Sequence, residues 1–317
     1  MPADRRGGDR AVAGESCSGY VDGNNKTFVP ERIPSDPAPQ EGVSVMLVRH
    51  LDCATMCPVG GRALLGSGGL LTGGLVGHCL LVESDDGLVL VDTGFGMADV
   101  LDRGRLGAGT ARLLRPRLRP ELTALHQIRG LGYRREDVRH IVLTHLDVDH
   151  AGGLSDFPDA TVHVFADELD AATQRPTIGE KLRYQPRQWE HGPRWLAHET
   201  GADTWLGFTA VPVLEDIMLI PLVGHTRGHS GVAVRQSDGW LLHCGDAYFH
   251  HRQLAVGKAR PPVGLGVFEV FASMLGRARV ENLERLRTLR AEHGDRVRMF
   301  CAHDPHELAQ FATVPVR

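Results

Sequence analysis

The stretch Leu143-Thr144-His145-Leu146-Asp147-Val148-Asp149-His150-Ala151-Gly152-Gly153 constrains the fold of this chain more than any other. A short apolar run enters a loop that carries four donors, His145, Asp147, Asp149 and His150, within six residues, and two glycines follow. Imidazole and carboxylate are good ligands for zinc, manganese or iron. Gathered on one sharp loop at a strand end, they converge on a small volume, and the glycines permit the close backbone approach that this requires. The competing reading is a polar turn held by mutual hydrogen bonds, and the density of donors weighs against it.

The same arrangement recurs along the chain. Gly224-His225-Thr226-Arg227-Gly228-His229-Ser230-Gly231 lies between two apolar runs, Leu241-Leu242-His243-Cys244-Gly245-Asp246 ends on an aspartate, and Phe300-Cys301-Ala302-His303-Asp304 ends on a histidine and an aspartate. One apolar run ending on a donor means little; four in one chain are expected when strand ends gather around one cleft. Gly74–Glu83 and Leu88–Val91, separated by Ser84-Asp85-Asp86-Gly87, predict a β-hairpin, and Val232–Arg235 with Trp240–His243 predict a second. Further strands are expected at His140–Leu143, Thr161–Phe165, Ala210–Val213, Ile217–Val223 and Arg296–Phe300. Helices are expected over Pro120–Arg129, with Pro at its first position, and over Glu281–His293, where Leu283, Leu286 and Leu289 share a face. Strands in both halves with helices between them predict an α/β (α+β) chain of two sheets packed together and covered by helices outside.

The 317 residues suffice for a sizeable core, and 35 Lys+Arg against 39 Asp+Glu give a net charge of −4. That balance excludes a nucleic-acid binder working by general electrostatic attraction, so Arg112–Arg119 reads as a solvated face. No window is apolar for long enough to predict a membrane span. Met1 to Gly42 carries arginines, glycines and prolines without an apolar core segment, which predicts a flexible N-terminal extension before a domain over 43–317, and no secretory signal. The six cysteines are scattered and read as reduced thiols of a cytoplasmic protein; Cys53 and Cys57 stand at CxxxC spacing, but no second pair completes a metal site. Residues 167–209, with three of the four tryptophans, predict an insertion that folds on its own aromatics, a lid or wall over a substrate cleft, or both.

The Asp92-Thr93-Gly94 turn, the His145–His150 loop, GHTRGHSG, CGDAYF and the final CAHD together resemble the metallo-β-lactamase-fold hydrolase superfamily, over roughly Val43 to Asp304. The resemblance implies a four-layer αββα sandwich, two mixed β-sheets flanked by helices, with one or two divalent metal ions at the sheet edge. Carried over position by position, it implies that His145 and His229 help hold a first metal, that Asp149, His150 and His303 hold a second, and that Asp246 bridges. The family usually has HxHxDH in the loop; here Asp147 stands where its second histidine is expected, a harder donor that shifts the balance toward iron or manganese, with zinc still the first expectation. His225 is expected to order its loop or to bond a ligand carboxylate.

The function implied is that of a metal-dependent hydrolase, in which a metal-bridging hydroxide opens an ester or lactone and Asp149 passes the proton to the leaving group. Acyl-homoserine lactonases are the nearest branch, with Tyr248 expected to donate to the substrate carbonyl. A glyoxalase II-like thioesterase is the alternative within the class, and a di-iron redox enzyme the alternative outside it, because of Asp147. The expected partner is a small molecule with an apolar acyl part, with neither nucleic acid nor membrane, and a homodimer is compatible with these features.

Overall fold

The structure is a computed structural model, and it describes residues 46–255 and 260–312. The expected N-terminal extension, 1–42, lies outside the described residues. Six strands form one sheet in chain order: β1 (Leu47–Asp52), β2 (His78–Ser84), β3 (Gly87–Val91), β4 (Val138–Val142), β5 (Thr161–Phe165) and β6 (Arg194–His198). The pairs β1/β2 and β2/β3 are antiparallel, and β3 through β6 run parallel. After a small hairpin of β7 (Thr204–Trp205) and β8 (Phe208–Thr209), a second sheet contains β9 (Val211–Leu214), β10 (Ile217–Pro221), β11 (Ser230–Gln236), β12 (Gly239–His243) and β13 (Val297–Phe300), in the order β13-β12-β11-β10-β9. Only β12/β13 is parallel in it, so both sheets are mixed.

The two-residue period of the strands decides the layers. Leu80, Val82, Val89, Val91 and Val142 of the first sheet pack against Ile217, Leu219, Val232, Val234 and Leu241 of the second, forming the inner core. The alternate residues Cys79, Leu81 and Leu90 face outward and are covered by Ala124, Ile128, Ala171 and Ala172 from helices. On the far side, Ala233 and Leu242 meet Leu283, Leu286 and Leu289 of the helix Gly276–His293. Helix, sheet, sheet, helix is the expected αββα sandwich.

Local chemistry moved one boundary. Pro120–Leu122 is a 3-10 turn, and the α-helix starts later, at Ala124, because the Thr123 hydroxyl accepts the His126 N–H at 3.2 Å and caps it there. Residues 167–209 hold the greater part of one helix, a second, Ile178–Arg183, and the strand β6 at the open edge of the first sheet. The aromatics of this stretch do not form one cluster: Trp205 meets Phe208, with ring centroids 6.4 Å apart, on the second sheet's side, while Tyr184, Trp189 and Trp195 lie on the first sheet's side. Trp189 and Trp195 pack against the outer core of the first sheet and Trp205 against that of the second. Among the described residues, no helix is long and apolar enough to cross a membrane.

Candidate metal centre

Five strand ends meet at one edge of the sandwich. β3 delivers Asp92, β4 the loop His145–His150, β10 the loop with His225, β12 Asp246 and β13 His303. The side chains form two clusters of potential ligand atoms, one with His145, His225 and Asp246, the other with Asp149, His150 and His303. Asp246 belongs to both. Its Oδ2 lies 3.3 Å from His225 Nε2 and 4.0 Å from His145 Nε2, while its Oδ1 lies 3.1 Å from His303 Nε2 and 3.5 Å from His150 Nε2. Asp149 Oδ2 is 3.5 Å from His303 Nε2. Asp147 Oδ2 joins the first cluster, 3.1 Å from His225 Nε2 and 3.4 Å from His145 Nε2.

Outer partners decide which ring nitrogen faces inward. His150 Nδ1 donates to Asp92 Oδ2 at 2.8 Å, and His303 Nδ1 donates to the Val76 carbonyl at 2.7 Å. The Thr144 hydroxyl donates to Asp92 Oδ2 at 2.8 Å and so accepts from His145 Nδ1 at 3.0 Å. In each case the neutral ring turns a lone pair on Nε2 toward the carboxylates. Lone pairs of nitrogen and oxygen at these separations repel unless a cation or a proton lies among them, and His145 Nε2 and Asp246 Oδ1 are buried without a hydrogen-bond partner among the described residues. The donor set therefore fits divalent metal ions.

The titration of the same groups says the same thing. Burial alone would lower the His150 pKa, but the Asp246, Asp92 and Asp149 carboxylates outweigh it and hold it well above the ordinary value. Burial would raise the Asp246 carboxyl, yet His303, His150 and His225 hold it well below its usual range. In the absence of a cation, the site draws in protons.

Asp92 pays for its role with backbone strain, at φ 56° in the left-handed region. Its carboxyl is buried, which would raise it, but His150 brings it down to about 2, so it remains an anion. Gly245 has φ 53°, and a Cβ there would come within 2.5 Å of His229 Nε2; only glycine lets the chain turn Asp246 into the centre.

Two site expectations are corrected. His229 was expected on the first metal, but both of its ring nitrogens are committed: Nδ1 donates to the Leu222 carbonyl at 3.0 Å, and Nε2 accepts the Asp246 N–H at 2.8 Å. It fixes the backbone of Asp246, and His225, four residues earlier in the same loop, reaches the centre instead. The cause is the strand ladder: β11 begins at Ser230, and the Leu222 N–H already bonds the His229 carbonyl. Tyr248 was expected to face a substrate carbonyl. It is fully buried, its hydroxyl donates to Glu307 at 3.0 Å, and Phe249 faces the site, stacked on His303 with ring centroids 5.4 Å apart.

Two further residues escaped sequence reasoning. Arg183 places Nε 3.2 Å from Asp147 Oδ1 and donates through Nη1 to the His225 carbonyl at 2.6 Å. Its guanidinium, with His145 and His225, holds the Asp147 carboxyl well below the usual range despite burial, and burial first, then Arg183, lowers His225 to about 4. Glu168, fully buried, accepts the Leu146 N–H at 2.9 Å, the Gly228 N–H at 3.1 Å and the Tyr184 hydroxyl at 3.1 Å. It pins the two ligand-bearing loops to each other.

Strand ends carrying two adjoining clusters of histidine and aspartate define a metal-dependent hydrolase of the αββα type. The metallo-β-lactamase superfamily profile matches residues 72–292, and the chain belongs to that superfamily. It is 43% identical over 279 residues to a probable metallo-hydrolase of Mycobacterium tuberculosis, covering 87% of this chain and 85% of that one. An N-acyl homoserine lactonase of Bacillus thuringiensis is 32% identical over 98 residues, 31% of this chain and 39% of that one. Among solved structures, the fold is similar to that of an AiiA mutant from B. thuringiensis with N-decanoyl-L-homoserine bound at its active site. The TM-score is 0.64 and the identity 20%, over 86% of this chain and 98% of that one.

Proposed function

We propose that this metallo-hydrolase opens an ester or lactone bond of a small molecule with an apolar acyl part, as acyl-homoserine lactonases do. The observation that carries the reading is the division of the Asp246 carboxylate, one oxygen toward His225 and the other toward His150 and His303. His145, Asp147 and His225 would hold one cation and Asp149, His150 and His303 another, with Asp246 shared. Zinc suits this mixed imidazole and carboxylate set. When bound, such a pair polarises a carbonyl oxygen and makes water nucleophilic near neutral pH.

The chain's own residues supply the rest. With Oδ2 turned toward His150 and His303, Asp149 would take on its other oxygen the proton that the attacking water loses and pass it to the leaving oxygen. Phe249 packs over His303 and His225, which keeps bulk water from the reacting face. Arg183 and Tyr184, at the end of the helix Ile178–Arg183, support the wall reading of residues 167–209, beside the first ligand set.

The test is elemental analysis of protein purified without added metal, then turnover on a lactone, an ester and a thioester. The reading expects two divalent ions per chain and hydrolysis of the lactone or ester above the thioester. Asp147 supports a second reading: three carboxylates in the centre suit iron better than an all-imidazole site would. Iron with visible absorption and no hydrolysis of the three substrates would favour a redox enzyme.

A further inference from the structure

Beside His303 the surface opens into a cavity of about 130 Å³. One side is apolar, with Leu65, Leu75, Leu265 and Phe249; the other presents His250, His251 and His306. We infer that His251 is a specificity-determining residue of the centre, whose Nε2 accepts a hydrogen bond from a hydroxyl or amide N–H carried by the substrate in this cavity. The inference rests on the hydrolase reading above.

The orientation of the ring carries it. Asp304 follows His303 directly, and its carboxylate is almost fully buried. Its Oδ2 accepts both the backbone N–H of His251 at 2.6 Å and the ring Nδ1–H at 2.7 Å, while Oδ1 accepts the His306 N–H at 2.8 Å. The ring is further clamped between two others, with centroids 4.2 Å from His250 and 4.1 Å from His306. A neutral imidazole that donates through Nδ1 keeps its lone pair on Nε2. That edge faces away from Asp304, on a side chain about a third exposed that lines the same cavity as His303.

His250, His251 and Asp304 also lie close enough to hold a cation. The hydrogen bonds argue against it. His250 Nδ1 accepts the Arg252 N–H at 3.2 Å, so its proton sits on Nε2 and no lone pair is left there for a metal. Both Asp304 oxygens already accept donors from His251 and His306. One fixed acceptor beside an apolar wall matches a neutral substrate with a single donor near the scissile bond. A site built to bond a substrate donor rejects the analogue without it, because the acceptor, once covered by the bound substrate, is left unpaired.

Four α-substituted γ-butyrolactones test this on the zinc-loaded chain: hydroxy against methoxy, and acetylamino against N-methylacetylamino. The expected result is about tenfold higher kcat/KM for each donor than for its methylated partner, carried by KM. The two pairs show whether a hydroxyl or an amide N–H is preferred. In His251→Phe, which keeps a stacking ring, both ratios should fall to about one; in His251→Gln, which restores an acceptor, part of the preference should return. Equal KM values within both pairs in the wild type, or ratios unchanged in His251→Phe, would overturn the inference. So would a third zinc ion per chain that His251→Phe abolishes. If none of the lactones is opened, the lactonase reading fails, and equilibrium binding of the four compounds measured by ligand-observed NMR still decides the role of His251.

Discussion

The two halves of the centre are built differently. Around Asp149, His150 and His303, two rings are locked by outer acceptors, Asp92 and the Val76 carbonyl, and among the described residues no Lys or Arg pairs with the carboxylates of Asp149 and Asp246. Around His145, Asp147 and His225, only His145 has such a partner. His225 Nδ1 is buried without a partner, and Asp147 is shared with Arg183. The first group is preorganised; the second is a compromise between a cation site and an internal ion pair. Affinity should therefore be unequal, with the His303 half filling first.

The largest effect that would break this comparison comes from the two histidines of GHTRGHS. His225→Ala should lose one metal equivalent and at least about a thousandfold in turnover, because it removes a ligand outright. His229→Ala, which only frees the Asp246 backbone, should keep measurable metal in both halves and lose about 10- to 100-fold in metal affinity, the usual cost of an outer partner. Elemental analysis with single-turnover kinetics reads both, and the opposite order would return His229 to the ligand set. Asp92→Asn comes next. It should weaken the His303 half by about 10- to 100-fold in a metal titration and bring the two halves closer together.

Arg183→Gln sharpens the comparison from the other side. A guanidinium beside a cation site repels a divalent ion even at the screened dielectric of a protein. Its removal should tighten the weaker step of the metal titration by about tenfold and leave the stronger one where it is. Weakening of that step would mean that Arg183 chiefly holds the His225 loop through its carbonyl.

A smaller effect concerns the face of the first sheet that carries Val142 and Phe165, where His140, His163 and His198 bond in series across β4, β5 and β6 at 2.9 and 3.0 Å. Burial, then its neighbours His140 and His198, lower His163 to about 4, so the folded chain keeps it neutral. The unfolded chain protonates it near 6.5, so its contribution is complete above that value and is lost as pH falls from 6.5 toward 4. Urea titrations at pH 7.5 and 5 should show a larger drop in midpoint for the wild type than for His163→Gln; equal drops would remove the assignment. The smallest change belongs to Tyr248→Phe, which should leave turnover within about twofold and cost about 1 kcal/mol of stability for one buried hydrogen bond. A large loss of kcat would restore Tyr248 to the chemistry.

Much of this was legible in the sequence, for a physical reason. Unbroken apolar runs in β2, β11 and β12 mark strands buried on both faces, and the donors that follow such runs gather at one edge of the sandwich. Asp246 and His303 were readable because each closes an apolar run, and Asp149 and His150 because they stand in a loop of four donors that follows one. His225 and His229 were not separable by spacing, since both follow glycine in one loop; the choice depends on which of them β11 takes into its ladder. Arg183 and Glu168 come from residues 166–183 and meet the centre only through tertiary packing, which no local pattern encodes. Tyr248 and Phe249 show the same limit: adjacent residues leaving a strand point to opposite sides, and the sequence does not say which side is the site.

The claim on which all this depends is that two ligand sets share Asp246. Anomalous diffraction from crystals of the zinc-loaded chain tests it most directly. The account predicts two peaks, one among His145, Asp147 and His225 and one among Asp149, His150 and His303, each bonded to an oxygen of Asp246. A single peak at full zinc occupancy, or a zinc ion bonded to His229, would contradict it.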